Sequence, residues 1–514
     1  MSRISIRVER TPISSNQRPA PERALDWSPS DARAFGERAL DIWTELLERL
    51  HDDLPVARDR SAAEVRAAVA REIPMGPMPI DDVVAHLRQI VFDESMYPGH
   101  PGFVAYISGA GTVPGAAADL LAAGLNQNSG GWRLSPAATE VEQHLTRWFA
   151  GRFGMPEEAM GYITSGGAMT NLIGLTLART RCAGWDVRAD GMRGGPQLTV
   201  YVSSQVHDTI DRAAQMLGIG DAGVRKIATD DTLRMDTGVL RDAIEADVER
   251  GHRPIAVVGT AGTTGTGAID PLADLADVCG EYGIWFHVDA AYGGAAALTS
   301  QLAHLFYGIE RADSIGFDPH KWLYTPHAGA CILVRDPTHL ADAFAVNASY
   351  IVTDNEHTGW GLDLYELSPQ FSRPFAALKI WISLLAHGWD AYERRITHDV
   401  ALTRYLHQLV VEHRELESIA ESELSITCFR FVPDDLAGHP AADEYLDTLN
   451  ERLMFDIQLG GKAFPSNALV EGRFALRSCI VNFRTEADTM EELVNETVRL
   501  GRLLDAQLRP ESLR

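Results

Sequence analysis

Two short stretches hold the residues best suited to chemistry, His287-Val288-Asp289-Ala290-Ala291 and Asp318-Pro319-His320-Lys321-Trp322. A lysine amine condenses with an aldehyde to a Schiff base, and an aspartate can keep a pyridine nitrogen protonated so that the ring draws electrons. Asp289 and Lys321 are therefore the pair that a pyridoxal-phosphate enzyme needs most. Either charge alone would more often be solvated surface. Both, however, sit among apolar and small residues, where an isolated charge is expensive to bury.

The elements that must position this pair read as α/β. LTVYVSS, PIAVVGTAG, IWFHVDAAYGG and AGACILVRD have strand-like runs, while EVEQHLTRWFAGRF and AMTNLIGLTLARTRC have helical spacing. Upstream, ARAFGERALDIWTELLERL and DDVVAHLRQIVF are helix-like, separated by the Pro-rich REIPMGPMPI. The expected organisation is an N-terminal arm (residues 1–30) and helical dimerisation segment within 1–91, a large cofactor domain over 92–385, and a smaller C-terminal α/β domain over 386–514 that includes SITCFRFVP and FALRSCIVNFR.

Composition narrows the function. Across 514 residues, 71 acidic against 46 basic side chains give a net charge of −25, which opposes nonspecific binding to nucleic acid or to an anionic membrane. Cys182, Cys279, Cys331, Cys428 and Cys479 are widely separated, so neither a metal site nor a disulfide framework is expected and a reducing cytoplasmic setting is favoured. The first twenty residues carry charge but no continuous apolar run, and no later run has the length and purity of a membrane span.

Other residues gather around the pair. GYITSGGAMTN puts Gly166, Gly167 and Ala168 just before a helix, where backbone N–H groups and the helix N-terminus suit a phosphate. Alone, such a turn more often serves geometry only. Thr263, in VVGTAGTTGTGAID, either lines the cofactor or stabilises its own turn, and Asp270 can fix that turn. His207 follows a strand and could stack on the cofactor ring; His320 could contact phosphate or satisfy a turn.

Taken together, HPGFVAY, SPAATEVE, GYITSGGAMTN, SQVHDTIDRA, GTTGTGAID, HVDAAYGG and DSIGFDPHKW closely resemble the group II pyridoxal-phosphate-dependent amino-acid decarboxylases, the family of aromatic-amino-acid, histidine and glutamate decarboxylases, over about residues 90 to 490. The resemblance implies a type I aminotransferase-like fold and an obligate homodimer with shared active sites. It matches Lys321 to the Schiff-base lysine, Asp289 to the ring-nitrogen partner, His207 to the stacking histidine and Ala291 to the small residue on the opposite ring face. Gly166, Gly167, Ala168, Asp318 and His320 fall around the phosphate, with Thr263 near the cofactor. Asp318 departs from the asparagine of the aromatic branch, and a carboxylate there would repel phosphate without intervening donors. Tyr350 matches the mobile-loop tyrosine that protonates Cα after carbon dioxide leaves; related aldehyde synthases have phenylalanine there.

The expected reaction is decarboxylation of an L-amino acid to its primary amine, with Arg477 orienting the substrate carboxylate. Tyr106 and Trp132 are candidate pocket walls. Gly130 stands where aromatic decarboxylases commonly carry a bulky phenylalanine, which would enlarge the pocket or let another group fill it. A bulky aromatic substrate is favoured, with glutamate or a diamino acid left open. The alternatives are an aldehyde synthase or aminotransferase, and a noncatalytic homodimeric cofactor-binding regulator, against which the intact Lys321, Asp289 and Tyr350 set argues.

Overall fold

The computed structural model describes residues 25–346, 361–439 and 441–513, so most of the expected N-terminal arm, and Tyr350, lie outside the described residues. The chain divides into two compact units, residues 1–49 with 60–95, and residues 50–59 with 96–514. In the first, helices Pro29–Arg49, Ala62–Val69 and Ile80–Asp93 appear where the apolar spacing and the Ser61/Glu64 capping box place them. Buried Phe92 lies against two guanidinium groups, 4.9 Å from Arg49 and 4.7 Å from Arg88.

The second unit carries a mixed sheet of seven strands: β1 (Met160–Thr164), β2 (Leu198–Ser203), β3 (Val224–Ile227), β4 (Arg253–Thr260), β5 (Trp285–Asp289), β6 (Ser314–Phe317) and β7 (Ala330–Val334). Their order is β1-β7-β6-β5-β4-β2-β3; only β7 runs antiparallel to its neighbours. Helix Gly167–Cys182 covers β4 to β7 on one face, while Pro136–Arg152 packs on β1 and Leu272–Tyr282 on β4 and β5. β2 and β5 are wholly buried, so neither alternates between an apolar and a solvated face, and the polar residues they carry, such as His287 and Asp289, are buried too. The same double burial hid β1 and β6 in the sequence: MGYIT and SIGF are short, and neither alternates.

A second, antiparallel sheet is formed by β8 (Leu416–Ala420), β9 (Ile426–Phe431), β10 (Ser466–Val470) and β11 (Arg473–Cys479), in the order β10-β11-β9-β8. Helices Trp389–Glu412, Asp443–Leu459 and Ala487–Leu508 pack on it around Leu406, Phe429, Phe431, Leu449 and Leu493. No described helix is long and apolar enough to cross a membrane. Among the described residues, no cluster of three or more His, Cys, Asp or Glu side chains could hold a metal ion.

Candidate active site

The sheet delivers its polar residues at the carboxyl ends of the parallel strands, where open α/β sheets bind ligands. β5 ends on Asp289, and β6 runs directly into the Asp318–Lys321 turn. β1 and β2 lead into Gly166 and His207, and β4 into Thr263.

Asp289 is 7 % exposed. Its Oδ2 accepts from Asn171 Nδ2 at 2.8 Å and its Oδ1 from the Ala291 N–H at 3.1 Å, so two donors orient the carboxylate. His287 shares the same strand face, two residues back. Burial pushes this imidazole down to about 4, against the opposing pull of Asp289, so it is neutral at physiological pH. Because the folded state resists its protonation, its contribution to stability is complete above the ordinary histidine range and is lost as pH falls from about 6.5 toward 4. The melting-temperature advantage of the natural protein over His287→Asn should therefore shrink between pH 7 and pH 4.5, as followed by circular dichroism; a constant difference would mean that the imidazole takes up its proton equally in the folded and unfolded chain.

Lys321 Nζ lies 3.1 Å from Asp318 Oδ2, which also accepts from the Gly167 N–H at 3.2 Å. Asp318 thus ties the lysine turn to the first turn of helix Gly167–Cys182. A Cβ at Gly167 would lie 3.0 Å from Asp318 Oδ2 and 3.2 Å from Ala291 Cβ, so a side chain there would make Asp318 or Ala291 give by a few tenths of an ångström. A Cβ at Gly166 would meet only His320 Cε1, at 3.9 Å, which leaves open space between the helix N-terminus and that imidazole. His320 Nδ1 lies 2.8 Å from the Gly329 carbonyl, fixing its ring, and burial holds its pKa below the usual range. A lysine, a ring-nitrogen acceptor and an amide-lined space beside a histidine fit pyridoxal phosphate; the cofactor would be held by Lys321, Asp289 and the Gly166–Ala168 backbone.

The remaining candidates are placed unevenly. Exposed His207 accepts from the Thr209 N–H at Nδ1, 3.2 Å away. Thr263 is fully buried and its hydroxyl serves its own turn, 3.0 Å from Thr266 Oγ1 and 3.1 Å from the Ala268 N–H. Asp270 fixes that region by accepting from the Thr260 and Met235 N–H groups, each at 2.8 Å. Arg477, on β11, is buried; it donates to Tyr106 O at 2.9 Å, Ser466 Oγ at 3.1 Å and Gly265 O at 3.2 Å. Its Nη2 is buried with no hydrogen-bond partner among the described residues. Tyr106 meets Arg477 through its carbonyl while its side chain is 60 % exposed. Trp132 donates from its backbone to Asp363 and from Nε1 to Glu140, at 2.8 and 2.7 Å. Gly130 opens no extra space: a Cβ there would lie 2.3 Å from the Phe371 carbonyl oxygen, so main chain fills the position.

A model of the pyridoxal-dependent decarboxylase conserved domain matches residues 63–432. The chain belongs to the pyridoxal-dependent decarboxylase family. Among relatives of this decarboxylase, aromatic-L-amino-acid decarboxylase of Bacillus atrophaeus is 30% identical over 470 residues, covering 91% of this chain and 95% of that one. Phenylacetaldehyde synthase of a Rosa hybrid cultivar is 29% identical, covering 92% and 94%. The crystal structure of Oryza sativa TDC with PLP and tryptamine superposes with a TM-score of 0.86 at 28% identity, covering 94% of this chain and 99% of that chain. The decarboxylase is accordingly a carboxy-lyase that uses pyridoxal phosphate on an amino acid and has the mixed α/β fold of these enzymes.

Three supports went unseen in the sequence. Trp322 Nε1 and Tyr324 OH both donate to Asp399 Oδ2, at 2.9 and 2.6 Å, pinning the lysine turn from behind; burial raises Asp399 to about 6 even beside Arg395. Asn171 and His287 form the second. The third is a buried ion pair, Arg373 with Glu142, in which Arg373 Nη2 also donates to Ile163 O at 2.6 Å and Glu142 Oε1 accepts from Ile163 N at 2.7 Å. The only local signals were a polar residue on an apolar helix and histidine two before Asp289 on an apolar strand.

Proposed function

We propose that the decarboxylase converts a bulky aromatic L-amino acid to its primary amine and carbon dioxide, as a homodimer. The observation carrying this reading is the convergence of Lys321, Asp318 and Gly167 at one end of the sheet whose β5 ends on Asp289. The bound cofactor supplies an acceptor for the electron pair left on Cα when the carboxylate departs. Lys321 would hold it covalently, and Asp289 would pair with its ring nitrogen. His207 and Ala291 would lie against opposite sides of the ring. Gly166, Gly167, Ala168 and His320 would hold the phosphate, while Asp318 positions Lys321 and Thr263 shapes the wall through its turn. Arg477, with one buried nitrogen unpartnered, suits the substrate carboxylate. Tyr350 gives Cα its proton.

The aromatic preference is supported by the names of the Bacillus relative and of tryptophan decarboxylase 1 of Oryza sativa subsp. japonica, 29% identical over 462 residues. Tyr106, Trp132 and Phe371 offer aromatic wall; Phe371 stacks on Tyr365 with ring centroids 5.8 Å apart. For a dimer, helix Val113–Leu125 exposes Leu120 and Leu121 at 74 and 64 %, beside exposed Leu125 and Val113, an apolar face suited to a second copy. Residues 92–385 are assigned the cofactor and 386–514 the smaller domain that brings Arg477.

The test is carbon dioxide release from a panel of L-amino acids by cofactor-loaded protein, with amine, aldehyde and hydrogen peroxide quantified together. Equimolar carbon dioxide and amine from aromatic acids is expected; no carbon dioxide from any of them would overturn the substrate class. The rose synthase favours a second reading, in which oxygen is consumed and aldehyde, ammonia and peroxide accompany carbon dioxide. Tyr350→Phe should divert product from amine toward aldehyde in the same assay, and an unchanged ratio would assign the proton to another group.

A further inference from the structure

We infer that Asn171 is a positioning residue for this reaction, orienting Asp289 and His207 together through one directed chain of hydrogen bonds. The inference rests on the roles proposed above for those two residues. A carboxylate only accepts, so the Asn171 atom 2.8 Å from Asp289 Oδ2 is the amide nitrogen, and the side-chain orientation is fixed. Oδ1 then faces His287 Nε2 at 3.0 Å and must receive its proton. His287, neutral by burial, therefore has Nδ1 free to accept from the Ser314 hydroxyl at 2.8 Å, and Ser314 Oγ accepts from Trp285 Nε1 at 2.9 Å. The second amide proton of Asn171 reaches Thr209 Oγ1 at 3.1 Å, and the Thr209 hydroxyl proton shares the one lone pair of His207 Nδ1 with the Thr209 N–H, each from 3.2 Å. With Nδ1 accepting, His207 keeps its own proton on Nε2.

Every donor and acceptor in this chain is directed by the negative charge of Asp289. Asn171 uses both amide protons and its carbonyl, and among the described residues it is the side chain that hydrogen-bonds both to Asp289 and to Thr209 in the segment that holds His207. The close approach is built in. Gly174 lies three residues on, and a Cβ there would sit 2.5 Å from His287 Nδ1, so the helix can lie near enough for Asn171 to reach only because position 174 has no side chain. The Asn171 N–H and the Ala291 N–H together hold the Asp289 carboxylate at a fixed angle, which would leave its remaining lone pairs for the ring N–H of the cofactor.

Asn171→Leu and Asn171→Asp, studied as holoenzymes beside Asp289→Asn, test this. Asn171→Leu should raise the dissociation constant for pyridoxal phosphate about 10- to 100-fold, the range expected for hydrogen bonds to a charged group. It should also raise the pH midpoint of the bound cofactor's visible absorption, because a ring nitrogen with less positive charge pulls less on protons elsewhere in the conjugated system. Asn171→Asp keeps the volume but sets two carboxylates together that cannot both ionise, so cofactor affinity should become pH-dependent where the natural protein is flat. In an Asp289→Asn background, Asn171→Leu should weaken cofactor binding little further. Natural affinity and spectrum in Asp289→Asn would overturn the site reading and this inference with it. Weakened Asp289→Asn with both Asn171 variants unchanged would overturn the inference alone. The inference also fails if Asn171→Leu melts early while a folded Asn171→Asp keeps the natural absorption and pH response, since the role would then be packing.

Discussion

Replacing Lys321 by alanine is expected to lower turnover by about 10³-fold or more, since the amine that would anchor the cofactor covalently is lost. The natural holoenzyme should be fixed by borohydride with the mass of the reduced cofactor on the peptide containing Lys321; the variant should not be labelled. Fold is not the cause of the loss, because Asp318 keeps its bond from the Gly167 N–H and Trp322 keeps Asp399. Near-natural turnover without an added small amine, or labelling of another lysine, would remove Lys321 from the centre of the site.

The second large effect concerns stability. Arg373→Met should cost about 3–5 kcal/mol, because it leaves Glu142 buried without its cation. Arg373 also lies 5.2 Å from the centre of the Tyr162 ring and donates to the Ile163 carbonyl, so the loss falls on β1, the strand that leads into Gly166 and Gly167. Urea unfolding should show the lower midpoint, and cofactor affinity should fall with it. Arg373→Met combined with Glu142→Leu should recover much of the loss, as apolar replacement of both partners often does. A single-variant cost below about 1 kcal/mol, the range of exposed pairs, would mean that water reaches Glu142.

What could be read from the sequence followed the range of the interactions. Asp289, Lys321 and the Gly166–Gly167 turn were legible because each sits in a motif whose chemistry is local. β2, β4, β5 and β7 were legible because they are apolar and bounded by turns. His287 with Asn171 was not, because the partners are 116 residues apart and neither flank announces the other. Glu142 with Arg373 spans 231 residues, and Trp322 with Asp399 spans 77. Thr263 was open between cofactor wall and turn; its hydroxyl bonds to Thr266 and Ala268 serve the turn. For Arg477 the type was legible but not its setting, since the Tyr106 contact runs through a main-chain carbonyl that no side-chain pattern records.

The contact between Gly130 and Phe371 also bears on how this pocket can be changed by descent or by design. A Cβ at residue 130 falls 2.3 Å from the Phe371 carbonyl, and the Asn128 side chain bridges the two segments by accepting from both Gly130 N and Arg373 N. Placing a bulky residue at 130 is therefore not a single step. The segment around Phe371 must move first, and Arg373, the cation of the buried pair, moves with it. The two loops must therefore change as one unit, and a library that varies residue 130 alone will first displace the Phe371 main chain.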